Sequence, residues 1–268
     1  MASSVAMTAP ASTIVFFHAH PDDEVVLTGG SMAKASAGGS RVVLAVATNG
    51  EHGECPQDLA GGETLVDRRR RETECSAAVL GIDRVLWLGY HDSGMTGWDQ
   101  NADPESFWQA DVDDAGARLA ALLEREEADV VVTYDWHGGY GHPDHVQAHR
   151  VGHRAAALAG TSRVLEATFS RDAMRAFAVA GGGDEWDPDG LADDGNPFGT
   201  PEIEIHHAVD VTAFVGHKRR ALACHASQTS DAGAMLAMPE PMFANVFGTE
   251  WFIEPGRPPG LLRGWMFG

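Results

Sequence analysis

Two short stretches hold most of the residues able to do chemistry: His18-Ala19-His20-Pro21-Asp22-Asp23-Glu24 and Tyr140-Gly141-His142-Pro143-Asp144-His145. Imidazole and carboxylate are the harder ligands that zinc accepts, and a catalytic zinc site takes three protein ligands and keeps a fourth position open for water. His20 and Asp23 supply two of these from the first stretch. Pro21 fixes the chain at the turn, and Asp22 and Glu24 open the next helix, where negative charge is favoured. The second stretch repeats the His-Pro-Asp arrangement and again sets one His three residues from another, His142 and His145. Gly138, Gly139 and Gly141 let its backbone turn tightly. Either stretch alone could be a turn with a helix cap. Two of them at the same kind of junction point to one composite site.

That junction is a strand running into a helix. Ile14–Phe17, Arg41–Thr48, Arg84–Leu88 and Asp129–Tyr134 read as strands of continuous apolar character. Leu27–Ala37, Leu65–Leu80, Asp114–Glu127 and His145–Ala159 read as helices, with Gly38-Gly39 and Gly81 ending the first two. Alternation of this kind predicts an α/β fold, a Rossmann-like, mostly parallel sheet with helices on both faces. Ligands of open α/β sheets bind outside the carboxyl ends of the strands, at the switch point. Strands 1 and 4 are expected to be neighbours there, so the two stretches can meet. After about Ser170 the order changes: a Gly/Asp/Pro loop over Gly181–Thr200, a short strand around Ile203–Ile205, a helix around Thr212–Ala226 and an apolar tail. The expected organisation is a flexible N-terminus over 1–13, a catalytic domain over 14–170 and a smaller C-terminal subdomain or flap over 171–268.

Composition narrows the partners. A chain of 268 residues with 44% hydrophobic content can bury a core without staples. Its formal charge of −20 repels phosphate backbones and anionic membrane surfaces, which argues against nucleic acid or lipid headgroups. Cys55, Cys75 and Cys224 are odd in number and form no CxxC, so no disulfide framework is expected and a reducing cytoplasm fits. Met1–Thr13 does not read as a signal peptide, and no apolar run approaches a membrane span. Oligomeric state is not readable.

The motifs AHPDDE and GGYGHPDH, with Arg69 and Asp92-Ser93-Gly94-Met95, resemble the N-acetylglucosaminyl-phosphatidylinositol de-N-acetylase superfamily, and within it most nearly the deacetylases of bacterial mycothiol biosynthesis. The resemblance runs from the first strand to about residue 160. It implies a hydrolase that removes an acetyl group from an amino-sugar conjugate, a small molecule, with one Zn2+ per chain held by His20, Asp23 and His145. By the same likeness Asp22 is the general base, a protonated His142 meets the oxyanion, Asp144 orients His142, Tyr140 polarises the carbonyl or helps shape the site, and Arg69 and Asp92 hold sugar hydroxyls. The chemistry agrees: zinc brings the pKa of a bound water to about 7, a neighbouring carboxylate shuttles its proton to the departing amine, and an imidazolium answers the developing charge.

Other residues invite attention. His145, His149 and His153 recur at helical spacing without the Glu of HExxH, and His149 reads mainly as packing. His18 reads as a buried, satisfied histidine. Of Arg68–Arg71 only Arg69 is expected to serve the site. Glu51, His52 and Glu54, and the His225-Ala226-Ser227-Gln228 segment, are candidate pocket walls, and Trp136 a candidate stacking surface at the entrance. An amidase acting on a larger conjugate, such as a mycothiol S-conjugate, is the main alternative, with an antibiotic-tailoring deacylase beside it. Conjugate amidases tend to carry a Lys shortly after HPDDE, where this chain has Leu27. A dinucleotide-binding protein would show GxGxxG after strand 1, and iron(II) or cobalt could occupy the same ligands.

Overall fold

Five apolar runs become parallel strands, four of them largely buried and one, Arg84–Tyr90, only partly buried at the sheet edge. These are β1 (Thr13–His18), β2 (Arg41–Thr48), β3 (Arg84–Tyr90), β4 (Val130–Tyr134) and β5 (Arg163–Thr168). The computed structural model describes residues 12–179, 190–192 and 194–267. Half of the expected loop at 181–200 and all but the last residues of the expected N-terminal segment therefore lie outside the described residues.

The helices are α1 (Asp23–Ala37), α2 (Leu65–Leu80), α3 (Val112–Arg125), α4 (Pro143–Ala159) and α5 (Arg171–Val179), then α6 (Val215–Cys224), α7 (Asp231–Ala237) and α8 (Glu240–Phe247). Several start earlier than apolar periodicity indicates, because the polar first turn belongs to the helix. Thr64 and Asp67 form a capping box on α2, and the Asp111 side chain caps α3. The predicted strand near Ile203–Ile205 is instead a 3-10 turn at Glu202–Glu204, and the strand comes next, as β6 (His207–Asp210). A three-residue apolar-polar alternation is too short to separate the two.

With β7 (Thr249–Ile253) and β8 (Leu262–Arg263), the sheet has eight strands in the order β3-β2-β1-β4-β5-β7-β6-β8. β7 runs antiparallel to both β5 and β6. Strand order reverses between β1 and β4, which pair directly through Ile14–Phe16 and Val130–Val132. That is the switch point, and both motifs sit on its carboxyl edge.

α1, α2 and α6 pack together, and α3 packs on α4. Right-handed crossovers on either side of the switch point put the two groups on opposite faces. The C-terminal stretch is tied to the sheet through Glu250 of β7, which accepts from the N–H groups of Gly30 and Ser31 and from Lys218 Nζ at 2.7–2.8 Å. Gly30 allows this close approach, since a Cβ there would lie 2.5 Å from Val211. Contrary to the expectation from the cysteine count, Cys75 of α2 and Cys224, the last residue of α6, form a disulfide, and Cys55 stays free. No spacing rule discloses a pair 149 residues apart; only the packing of α6 on α2 brings it together.

Candidate active site

β1 delivers His18 and then the turn through Asp22, while β4 delivers Tyr134 and then the loop to His142. Asp135 organises that loop, its Oδ1 accepting from the N–H groups of His137 and Gly139. Gly138 has φ +66°, and a Cβ there would stand 2.2 Å from His145 Cβ. Glycine thus lets the loop lie directly on His145, so that the Gly138 carbonyl meets His145 Nδ1 at 3.1 Å. His142 caps α4, its Nδ1 accepting the Asp144 N–H, and Pro143 fills the first helical position.

The residues expected to hold a metal come together here. Asp23 Oδ2 lies 3.3 Å from His20 Nδ1 and 3.3 Å from His145 Nε2. His145 uses its other nitrogen on Gly138, and its buried Nε2 has no hydrogen-bond partner. His20 likewise turns Nε2 to Asp144 Oδ2 at 3.1 Å, which leaves Nδ1 facing Asp23. A ligand histidine whose other N–H is held by a carbonyl or carboxylate is the usual outer arrangement of a metal site. Tyr134 Oη donates to Asp23 Oδ2 at 2.8 Å and orients it. The ligand-capable atoms of His20, His142 and His145 also lie within 4.8 Å of one another. Asp23 is the better third ligand, because it is anionic, close to both histidines and already oriented.

Charge supports a cation. Burial pushes His20 down, but Asp92, Asp144 and Asp23 outweigh it and hold its pKa well above 6.5. Burial pushes Asp23 up, but His145 and His20 outweigh it and hold it well below the carboxylate range. Carboxylates so gathered around imidazoles demand positive charge, which a divalent ion meets directly. The orphaned Nε2 and this surplus of negative charge fit a divalent metal ion.

Asp22 stands beside His20 and Asp23 with its side chain 27% exposed, on the cleft wall. Burial pushes its pKa up to about 6 against the pull of Arg69, which is where a general base at neutral pH should sit. Arg69 is 3% exposed and spends its guanidinium on the chain itself. It donates to the Pro21 carbonyl, to Gly50 O at 2.8 Å and to Asp22 Oδ2 at 3.0 Å. Although Arg69 lines the cleft, its contacts make it a brace for Asp22 rather than a ready sugar ligand. Asp92 lines the cleft as well, with Oδ1 on Gly94 N at 2.8 Å and 3.5 Å from His20 Nε2.

Two expectations about the second motif change. The Asp144 carboxylate serves His20 and Ser93, accepting from the Ser93 N–H at 2.9 Å and from Ser93 Oγ, and it touches His142 only through its backbone N–H. It therefore orients His20. Burial, with His20 and His145 nearby, also pulls the His142 pKa well below 6.5, which disfavours the imidazolium form. Because Nδ1 accepts a hydrogen bond, the neutral ring carries its proton on Nε2.

The cleft has a volume of about 530 Å³. His52, Glu54, Gln228, Met95, Trp98 and Tyr140 are among its walls. Tyr140 rests edge-on against His145, ring centroids 5.0 Å apart. Glu51 and Trp136 are not among the lining residues; Trp136 borders a separate hollow near Trp108, and Trp98, 48% exposed, takes the rim position. His18 is satisfied by Tyr134 and Thr28, as expected. His149 and His153 face Glu166 away from the cleft, with His149 Nδ1 also on the Tyr134 carbonyl. Arg68 pairs with Glu63 and Asp58, and Arg71 with Glu63, as expected of surface arginines. Sequence reasoning missed Tyr134. Its one signal was position, a phenol ending a strand whose carboxyl edge carries the site.

Residues 15–156, which contain both motifs, match the family described as GlcNAc-PI de-N-acetylase. The chain belongs to this family. Among family relatives it is 37% identical to the 1D-myo-inositol 2-acetamido-2-deoxy-alpha-D-glucopyranoside deacetylase of Thermobifida fusca, over 92% of this chain and 95% of that one. The deacetylase of the same description from Acidothermus cellulolyticus is 38% identical, over 94% and 89%. The fold is shared with N,N'-diacetylchitobiose deacetylase from Pyrococcus horikoshii, at a TM-score of 0.60 and 23% identity, over 91% of this chain and 84% of that one. No helix among the described residues is long and apolar enough to cross a membrane.

Proposed function

We propose that this protein is a zinc-dependent hydrolase that removes the acetyl group from the amino sugar of an N-acetylglucosaminyl-inositol conjugate, acting in the cytoplasm. The observation that carries this reading is Asp23 Oδ2 standing 3.3 Å from both His20 Nδ1 and His145 Nε2, with Asp22 beside them facing the cleft. His20, Asp23 and His145 hold the metal. When bound, zinc supplies a Lewis acid and lowers the pKa of a coordinated water to about 7.

Asp22, braced by Arg69, takes the proton of the attacking water. The acetamide carbon then becomes tetrahedral and its oxygen anionic. The neutral His142 Nε2–H, on the cleft wall, donates a hydrogen bond to that oxygen, with Tyr140 shaping the same wall. Collapse breaks the C–N bond, Asp22 returns the proton to the departing amine, and acetate and the free amino sugar leave. Asp144 and Tyr134 act one step behind, fixing His20 and Asp23. The segment after residue 170 closes the cleft with Gln228, Leu222 and Met235, and the division at that point into catalytic domain and flap is part of this proposal.

One observation favours the second reading, a larger conjugate. An apolar hollow of about 390 Å³ opens beside the cleft and shares Val26, Leu27, Phe169, Phe198 and Met235 with it. A sugar-inositol has nothing to fill it, whereas an apolar arm on the substrate does. The test is amine release from N-acetylglucosaminyl-inositol by metal-stripped and zinc-restored protein. Zinc-dependent release supports the first reading. No release from zinc-loaded protein rejects it and passes the test to conjugates carrying an apolar arm.

A further inference from the structure

Glu24 lies in the first turn of α1 and is 0% exposed, yet no step of the hydrolysis uses it. Its Oε2 accepts the Asp22 N–H at 2.8 Å. Its Oε1 accepts from Ser76 Oγ at 2.7 Å and from His225 Nε2 at 2.8 Å. Asp22 has φ +102°, and its side chain makes no capping bond to α1. A non-glycine residue in that region is strained and persists only where its surroundings over-determine it. Arg69 holds the carbonyl side of the turn through Pro21 and the carboxylate of Asp22, while Glu24 holds the N–H side.

The partners of Glu24 are themselves anchored. Ser76 and His225 each directly follow one cysteine of the Cys75–Cys224 bridge. α1, α2 and the segment leaving α6 therefore meet at one buried carboxylate. Complementing the helix dipole does not account for this, since an exposed first-turn acid does that without partners from two other segments. Both oxygens of Glu24 are paired, and a buried carboxylate satisfied from two other segments specifies one geometry.

We propose that Glu24 is a positioning residue for the reaction: locked by Ser76 and His225, it holds the Asp22 backbone in the left-handed conformation that aims the Asp22 carboxylate into the cleft. This rests on the reading of Asp22 as the base. It also gives the C-terminal segment a part in aligning that base, through His225.

The test compares Glu24→Ala, Glu24→Gln, Ser76→Ala and Asp22→Ala for kcat, KM, zinc content and thermal melting. Displacing a reacting group by about 1 Å costs on the order of 100-fold in rate, so Glu24→Ala is expected to lose that much kcat while KM and zinc content hold. Glu24→Gln keeps an amide oxygen for the Asp22 N–H and is expected to recover most of the loss, which a merely structural role does not predict once both variants melt alike. Ser76→Ala removes a single hydrogen bond, is expected to give the same signature at smaller amplitude, and decides the matter if Glu24→Ala does not fold. Wild-type kcat in every folded variant, or a kcat loss that follows zinc loss, overturns the proposal. Asp22→Ala separates the two readings: full turnover there removes the base itself, whereas loss there beside wild-type turnover in Glu24→Ala removes only the positioning role.

Discussion

Replacing Asp144 with Ala separates the role the motif implies from the role its contacts give it. The Asp144 carboxylate is fully buried; its Oδ2 accepts from the Ser93 N–H and His20 Nε2, and its Oδ1 accepts from Ser93 Oγ. Asn is the milder change, because an amide oxygen in the Oδ2 position keeps both of those donors and the NH2 group meets the Ser93 hydroxyl, which can accept. Alanine removes both oxygens, so either the His20 Nε2–H goes unpaired or the His20 ring moves its proton to Nδ1. The first outcome costs about 1–3 kcal/mol for a buried unsatisfied group. The second takes away the lone pair that faces Asp23. Loss of an outer partner of a metal ligand typically lowers metal affinity about 10–100-fold, equivalent to about 1.4–2.8 kcal/mol. Asp144→Ala is therefore expected to bind zinc that much more weakly, measured by competition against a chromophoric chelator, with melting temperature followed in parallel. If the variant binds zinc as tightly as the parent while its kcat falls, Asp144 works through His142 and the reasoning from its contacts is refuted.

Other outcomes follow from the same geometry. His145→Ala removes the orphaned buried Nε2 and should purify without zinc; undiminished zinc content by mass spectrometry contradicts the ligand set. Asp22→Ala should retain zinc and lose most turnover, since a positioned base contributes about 10²–10⁴-fold. Asp22 must be ionised to accept a proton, so kcat/KM should fall as pH drops through about 6; a bound cation alongside moves that limb lower, and an acid limb above neutrality speaks against Asp22. Trp98→Ala, at the exposed rim of the cleft, should raise KM and spare kcat, and a fall in kcat alone argues that Trp98 acts on the reaction rather than on the sugar.

The sequence by itself determined the parallel sheet, the two motifs at its carboxyl edge and the ligand types they offer. It could do so because apolar periodicity and His-Pro-Asp turns are local, and because a parallel α/β sheet leaves few topologies in which β1 and β4 are not neighbours. It also placed His18 correctly as a satisfied core residue. Only the tertiary structure decided what each side chain holds. Arg69 reaches Asp22 and Gly50 rather than open cleft, Asp144 reaches His20 rather than His142, Tyr134 reaches Asp23, and Cys75 finds Cys224. His225 crosses 201 residues of chain to reach Glu24. Hydrogen-bond partners so far apart depend on strand register and helix packing, which no local pattern encodes. The charge state of His142 likewise depends on burial among other histidines, a property that exists only once the chain has closed around them.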